Sequence, residues 1–544
     1  MNRKYVAGAL VVICAGAAGW FGMQTVERRT EQAVAESLAS VSAKAGEIRY
    51  SFLKNTLTLK GVEYEFTDAG FERRGSIENV EVRGFNRKYV FTTSEAPYNP
   101  DDLPVVAESI TATGIADRMT FDKTSVVEQQ AQQAHLTGWY QRLGTLLNLM
   151  REHRRDEAFF EELYRCRIDG MEVSGMSMKL VEPGMEAVDL SVERMALLEG
   201  LRAPGSGEKV SPVSLGFFGL RIAGRDFSGG LDTLELRDIL VPEPAIIAEI
   251  VRTGKELDAA DEDDLLGSAG EALFMKLDGL IRKAYEDKMP VGRLFMAGGT
   301  FTLQDTPEEE GAKPSVLSMA MKSLDYRLSV TEEGASRYVT NLSGLTMKFP
   351  DTMEEADIIA RYAPDGLVMN ATGDSLVGDD ALSGKARYEL EGLGVLEGNL
   401  EISGDIRALQ HAVMDGDPSG EMEKLMQTVR LKGLNAVYRD SGLMAMSVEI
   451  AARWGDSTVE NELNELSVLL HKMAQEKERP VRELGAALLV LFAHPGEFVM
   501  SIAPERPMSF MEALMLASVN PDALPVSFSA KPGEKSLKDY LPKN

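Results

Sequence analysis

One phrase constrains the fold of this chain more than any other: Leu57-Thr58-Leu59-Lys60-Gly61-Val62-Glu63-Tyr64-Glu65-Phe66. Apolar residues alternate up to a glycine and resume one position out of step. Period-two alternation marks a strand with one buried face and one wet face. A glycine at a one-residue slip suits a β-bulge or a tight strand bend, which would keep the apolar side chains on one face. The phrase returns as Met171-x-Val173-x-Gly175-Met176-x-Met178-x-Leu180 and as Val429-x-Leu431-x-Gly433-Leu434-x-Ala436-x-Tyr438. Shorter versions surround Gly84, Gly114, Gly170, Gly200, Gly219 and Gly392; one degenerate copy carries Gly344, and in another Asp238 replaces the glycine. The copies are irregularly spaced, which excludes a strict solenoid.

Runs of such strands interrupted by helical stretches predict an α+β fold with a large, mostly antiparallel, bulged and curved β-sheet. The candidate apolar-face residues are Leu57, Leu59, Val62, Met171, Val173, Met176, Met178, Leu345, Met347, Leu431 and Leu434. Such a face either holds an apolar ligand or is closed by helices.

The sheet is preceded by Tyr5–Met23, nineteen residues without a charge behind Arg3 and Lys4. As a helix it would be about 28 Å long, enough to cross a bilayer core of about 30 Å. No small-x-small site follows where cleavage would be expected, since Ala33-Val34-Ala35 comes about ten residues too late, so the expectation is an uncleaved transmembrane anchor, residues 1–24, with the cytoplasm at its N-terminus. A helical stalk is predicted over 25–46. The sheet body is then expected in two parts. The first covers 47–300, with helical insertions at 123–164 and 245–287. The second covers 301–535, with a helix-rich segment at 407–493. A loose tail is expected at 536–544.

Composition narrows function mainly by exclusion. A net charge of −27 opposes binding to nucleic acid and adsorption on anionic headgroups. Two cysteines, Cys14 and Cys166, give neither a disulfide framework nor a thiolate metal site. The five histidines stand singly, without metal-ligand spacing, and neither metal nor cofactor is expected. Gly373-Asp374-Ser375-Leu376 has the short signature of a serine esterase but no Asp-x-x-His follows; a strand-end turn is expected there. Ser51-Phe52-Leu53-Lys54 has β-lactamase spacing without a following Lys-Thr-Gly. Neither builds a catalytic site, and no enzyme is expected.

The short Met-Asn-Arg-Lys start, the apolar helix ending near Gly19-Trp20, the polar helix, the strand Arg49-Tyr50-Ser51-Phe52 and the Leu-x-Leu-x-Gly-Val phrases together resemble the YdgA-like bacterial envelope proteins. The strand phrase is also similar to that of the AsmA-like superfamily. The resemblance implies a protein anchored in the bacterial inner membrane, with its bulk in the periplasm and a role in moving or organising phospholipid. It brings no catalytic residues. The alternative is a structural or assembly scaffold for other envelope proteins.

Overall fold

The computed structural model describes residues 24, 26–39, 42–68, 71–86, 88, 98–121, 125–152, 154, 156–202, 212–258, 268–285, 291–305, 314–406 and 428–541. The span expected at Tyr5–Met23 lies outside them, as do residues 407–427 of the helix-rich segment. No helix among the described residues is long and apolar enough to cross a membrane. The chain forms two compact units, Met1–Arg225 with Thr233–Gly292 and Asp226–Asp232 with Arg293–Asn544.

In the first unit a helix, α1 (residues 26–39), precedes eight strands. These are β1 (Ala43–Ser51), β2 (Thr56–Asp68), β3 (Phe71–Arg83), β4 (Val105–Phe121), β5 (Ser125–Gln141), β6 (Cys166–Val181), β7 (Val188–Leu197) and β8 (Val213–Ala223). Each pairs antiparallel with the next. β9 (Phe227–Ile239) contributes residues to both units. Helices α2 (Leu143–Arg151) and α3 (Glu157–Tyr164) sit between β5 and β6, and α4 (Pro244–Asp258) and α5 (Ser268–Tyr285) follow β9. Of the stalk expected over 25–46, residues 26–39 are described as helix and β1 begins at Ala43, so Gly46 lies inside a strand. The helical insertion expected at 123–164 is also corrected, because Ser125–Gln141 is a strand. Gln130, Gln132 and Gln133 of β5 are exposed, and Val127, Ala131, Ala134 and Leu136 fall on the apolar side, a pattern that its low glycine content disguised. Among the described residues, the insertion at 245–287 contains the helices α4 and α5.

The repeated phrase turns out to be two devices. Across Gly61 of β2 the register is unchanged: Lys60 faces Asn79 and Val62 faces Ile77. The same continuity holds at Gly114, Gly175 and Gly219. These positions fall in one row, Gly61–Glu78–Gly114–Gln132–Gly175–Glu193–Gly219, glycine alternating with a polar residue from strand to strand. No residue is inserted, so the expected bulge is corrected here to a shared crease. At Gly114 the backbone is left-handed, φ 61°. That conformation breaks the alternation of faces, so Ala112 and Ile115 both stay on the apolar side. Only glycine fits, because the Glu78 side chain crosses the place of a Cβ, with its Cγ at 2.4 Å. Asp238, the expected replacement, carries the left-handed conformation at φ 54°, whereas Gly170 and Gly433 do not. Where the phrase recurs at Gly344 and Gly433, in the second unit, the register does shift, and those copies are bulges.

That unit is likewise antiparallel. Its strands are β10 (Val291–Asp305), β11 (Ser315–Val330), β12 (Ser336–Lys348), β13 (Leu367–Val377), β14 (Ala381–Leu390), β15 (Gly394–Ser403), β16 (Arg430–Asp440), β17 (Glu497–Ile502), β18 (Met508–Ser509) and β19 (Val526–Lys531). Its helices are α6 (Ala356–Tyr362), α7 (Leu443–Trp454), α8 (Val459–Ala474), α9 (Arg479–Ala493), α10 (Phe510–Val519) and α11 (Leu537–Tyr540). Helix α9 packs against β17 and β19. Helices α6 and α7 close a core of Ile358, Ile359, Leu393 and Met446 over the ends of β13 and β14. The tail expected to be loose forms α11, capped by Ser536, with Leu537 buried. Gly373–Leu376 lies inside β13 rather than at a strand end.

Candidate functional site

Register places the side chains of the first unit in rows across its strands. Leu59, Val80, Ala112, Ala134, Val173, Met195 and Phe217 form one row. On the other side of the crease, Val62, Ile77, Ile115, Ala131, Met176, Val192 and Leu220 form a second. Leu57, Val82, Ile110 and Leu136 lead into Met171 as a third. All three rows share one face. The opposite face is polar: Arg194 pairs with Glu172 at 3.5 Å and lies over the Phe218 ring, and Thr111 meets His135 Nδ1 at 2.9 Å.

Among the described residues, a helix covers the apolar face at its β1–β2 end. Val34 and Leu38 of α1 pack on a core of Tyr50, Leu57, Leu59, Val62, Val82 and Ala107. The Tyr50 and Phe52 N–H groups donate to Glu31 and Glu27 of α1 at 2.9 and 2.8 Å, holding the helix against β1. Toward β5–β8 the same rows open. Ala131, Ala134, Leu136, Met171, Val173, Met176, Met195, Phe217 and Leu220 are partly exposed, and Val192 is buried. Met178, a candidate from the sequence, lies in the next row between Gln129 and Leu190 and is partly exposed too. Helices α2 and α3 build their own small core of Leu146, Leu149 and Phe159.

That next row carries a cluster the sequence reading missed. It runs Tyr64, Gly75, Asp117, Gln129 and then Met178, Leu190, Ile222. Asp117 is buried on the apolar face, and Arg73 donates to its Oδ2 from Nε at 2.9 Å and from a terminal nitrogen at 2.7 Å. The signal was in the alternation Ile115-x-Asp117-x-Met119, where an acid occupies an apolar position. Burial, then the Asp117 charge, pushes the Tyr64 phenol above its ordinary range. On the polar face of the same strands a cavity of about 950 Å³ lies between Glu63, Ser76 and Gln130 on one side and Glu65, Arg74 and Arg118 on the other.

In the second unit, Leu345, Met347, Leu431 and Leu434 fall on one face of β12 and β16, all partly exposed. Leu431 packs against Ile402, Ile406 and Val429. A cavity of about 640 Å³ is lined by Lys385, Arg387, Glu397, Asn399 and Asn435 among others. Helix α10 contains no buried residue and exposes Phe510, Leu514, Met515 and Val519, although its start is fixed by the Ser509–Glu512 capping box.

The sequence motifs that mimic active sites are bound into structure. Asp374 is held by Arg337 through two hydrogen bonds, at 2.9 and 2.7 Å, and Ser375 faces Tyr338 and Gly384. Ser51 ends β1 and Lys54 lies in the turn beyond it. Burial pushes the Cys166 thiol up to about 11, which keeps it protonated and unreactive. Among the described residues no group of His, Cys, Asp and Glu is arranged to hold a metal ion.

A family model described only as "Uncharacterized protein" matches residues 387–531, from β14 to the end of β19. No curated protein matches the chain.

Proposed function

We propose that this chain binds phospholipid through its acyl chains on the apolar face of the first unit, anchored by Tyr5–Met23 in the bacterial inner membrane with its bulk in the periplasm. The observation that carries the reading is the set of apolar rows that continue from β2 to β8 and stay partly exposed on β5–β8. An apolar surface of that continuity is rarely left exposed on a monomer without a use. The rows are also chemically uniform, so an acyl chain can slide along them without specific polar contacts. Seven strands about 4.8 Å apart span about 29 Å from first to last. The methionines at Met171, Met176, Met178 and Met195 suit a surface that must accommodate chains of differing shape. The resemblance to YdgA-like and AsmA-like envelope proteins supports the setting. No reacting group is required, and the role is binding or transfer rather than catalysis.

A scaffold for envelope partners is the second reading, favoured by the exposed apolar surface of α10. Native mass spectrometry on the full chain in mild detergent separates the two. Retained phospholipid that is lost in Met176→Asp supports lipid binding. A lipid-free, monodisperse wild type contradicts it and leaves the scaffold.

A further inference from the structure

Helix α10 stands apart from its neighbours in the second unit. Among the described residues, α6, α7, α8, α9 and α11 each bury at least one side chain, and α10 buries none. Yet its sequence, Phe-Met-Glu-Ala-Leu-Met-Leu-Ala-Ser-Val, is almost wholly apolar. Phe510 and Leu514 lie one turn apart, as do Met515 and Val519, and all four are between 45% and 81% exposed. A helix that is apolar on all sides normally lies inside a core or a membrane.

The helix is held at both ends. Ahead of it β18 pairs with β16, placing Ser509 opposite Arg430. Behind it the chain turns at Pro521–Ala523. There Arg479 donates from Nε to the Asp522 carbonyl at 3.2 Å and from a terminal nitrogen to the Val526 carbonyl at 2.9 Å. Both polar side chains of α10 are already bonded close by. Glu512 accepts from the Ser509 N–H at 2.9 Å and from Arg506 at 3.0 Å, and the Ser518 hydroxyl donates to the Met515 carbonyl at 3.0 Å. Hydrocarbon demands such internal satisfaction, whereas a protein interface carries about one hydrogen bond per 100–200 Å². Arg430, which donates to the Pro507 carbonyl at 3.5 Å, and the exposed Arg506 stand at the start of the helix, as cations that meet lipid phosphate. Ten residues make about 15 Å of helix, too short to cross a core of about 30 Å and suited to lying in the interface.

We propose that α10 inserts into the headgroup–acyl boundary of the membrane that holds the chain, with Phe510, Leu514, Met515 and Val519 among the acyl chains and Arg430 and Arg506 at the phosphates. A tether presents that membrane to α10 at a higher effective concentration than any free partner. The net charge of −27 opposes adsorption by charge, so the contact rests on apolar insertion. The inference rests on the proposed anchor and is independent of lipid binding by the first unit.

The test places the fluorophore NBD at position 514, as Leu514→Cys in a Cys14→Ser chain, because Cys166 is buried and takes no label. The full chain is carried in nanodiscs of phosphatidylethanolamine and phosphatidylglycerol, with or without lipids bearing a nitroxide on the upper acyl chain. The expected emission is shifted to the blue of the free dye and quenched by the nitroxide lipid. It is unchanged at high salt, and the quenching is lost when Phe510→Asp and Met515→Asp are added. Water-like emission overturns the proposal. A blue shift without quenching overturns it too and gives the helix to a protein surface, as the scaffold reading requires. Quenching that high salt removes, that survives both added substitutions, or that is equally strong at Val468→Cys on α8, a residue 70% exposed, marks adsorption rather than insertion and overturns it. A chain that does not co-elute with the discs removes the inference together with the anchor, and leaves lipid binding on the first unit to its own test.

Discussion

Leu59 and Phe217 occupy the same row of the same face, at opposite ends of it. Leu59 is 8% exposed, sealed beneath α1 with Leu57 and Val62, and Phe217 is partly exposed on β8. The strands that carry them obey one design, with the same alternation and the same crease. What differs is the presence of a helix above. A local sequence pattern thus sets which side of a strand is apolar, and a separate element decides whether that side becomes core or surface.

A large effect follows directly. Leu59→Ala empties a sealed site and should destabilise the protein by about 2–4 kcal/mol in chemical denaturation. Phe217→Ala, whose side chain already touches solvent, should cost less than half of that despite removing a larger group. Equal losses would mean that β8 is as closed as β2. Met176→Asp and Val173→Asp sharpen the contrast from the other side. Each should keep the fold to within about 1 kcal/mol, because a charge on a partly exposed face reaches water, yet each should abolish retained lipid. Val62→Asp, in the same row as Met176 but under α1, should prevent folding.

A smaller effect concerns the crease that both ends share. Gly114→Ala places a Cβ against Glu78 in a left-handed backbone, at a cost of about 1–2 kcal/mol by thermal denaturation. Adding Glu78→Ala should recover part of the loss, since it clears the clash and not the backbone strain. The smallest effect lies on the wet side of the closed end. A hydrogen bond from Lys60, at 3.1 Å, and the neighbouring Arg49 hold the Glu47 carboxyl below its ordinary 4.5. A folded-state value below the unfolded one contributes stability that is present above the unfolded pKa and is lost as pH falls through the folded one. Acid titration of stability should therefore show a slight, salt-sensitive decline below about pH 4.5 that is absent in Glu47→Gln, with no counterpart on the lipid-binding face.

Much of this architecture was legible. The phrase around Gly61 gave the strands, their apolar side and the special backbone at Gly114, and even Asp238 in place of a glycine. The phrase could not tell a crease from a bulge, because that depends on whether the partner strand skips in step. In the first unit it does so at Glu78 and Gln132, and nothing within a single strand reports it. Strand β5 was hidden by its glutamines, which read as helix former and as wet strand face alike. Asp117 went unnoticed because one acid in an apolar alternation resembles an ordinary surface residue until Arg73 and Tyr64 are brought beside it by pairing. The cover of α1 over Leu57 and the partial exposure of Val173 are tertiary facts without a local signal.

The central claim is that the apolar face over β5–β8 is occupied by lipid. Photocrosslinking tests it most directly, with p-benzoylphenylalanine placed at Val173, Met176 or Leu220 of the full chain in its native membrane, and at Ser174 or Ser177 on the polar side as controls. The account predicts phospholipid adducts by mass spectrometry at the first three positions and none at the controls. Adducts to protein alone, or lipid adducts spread equally over both faces, would contradict it.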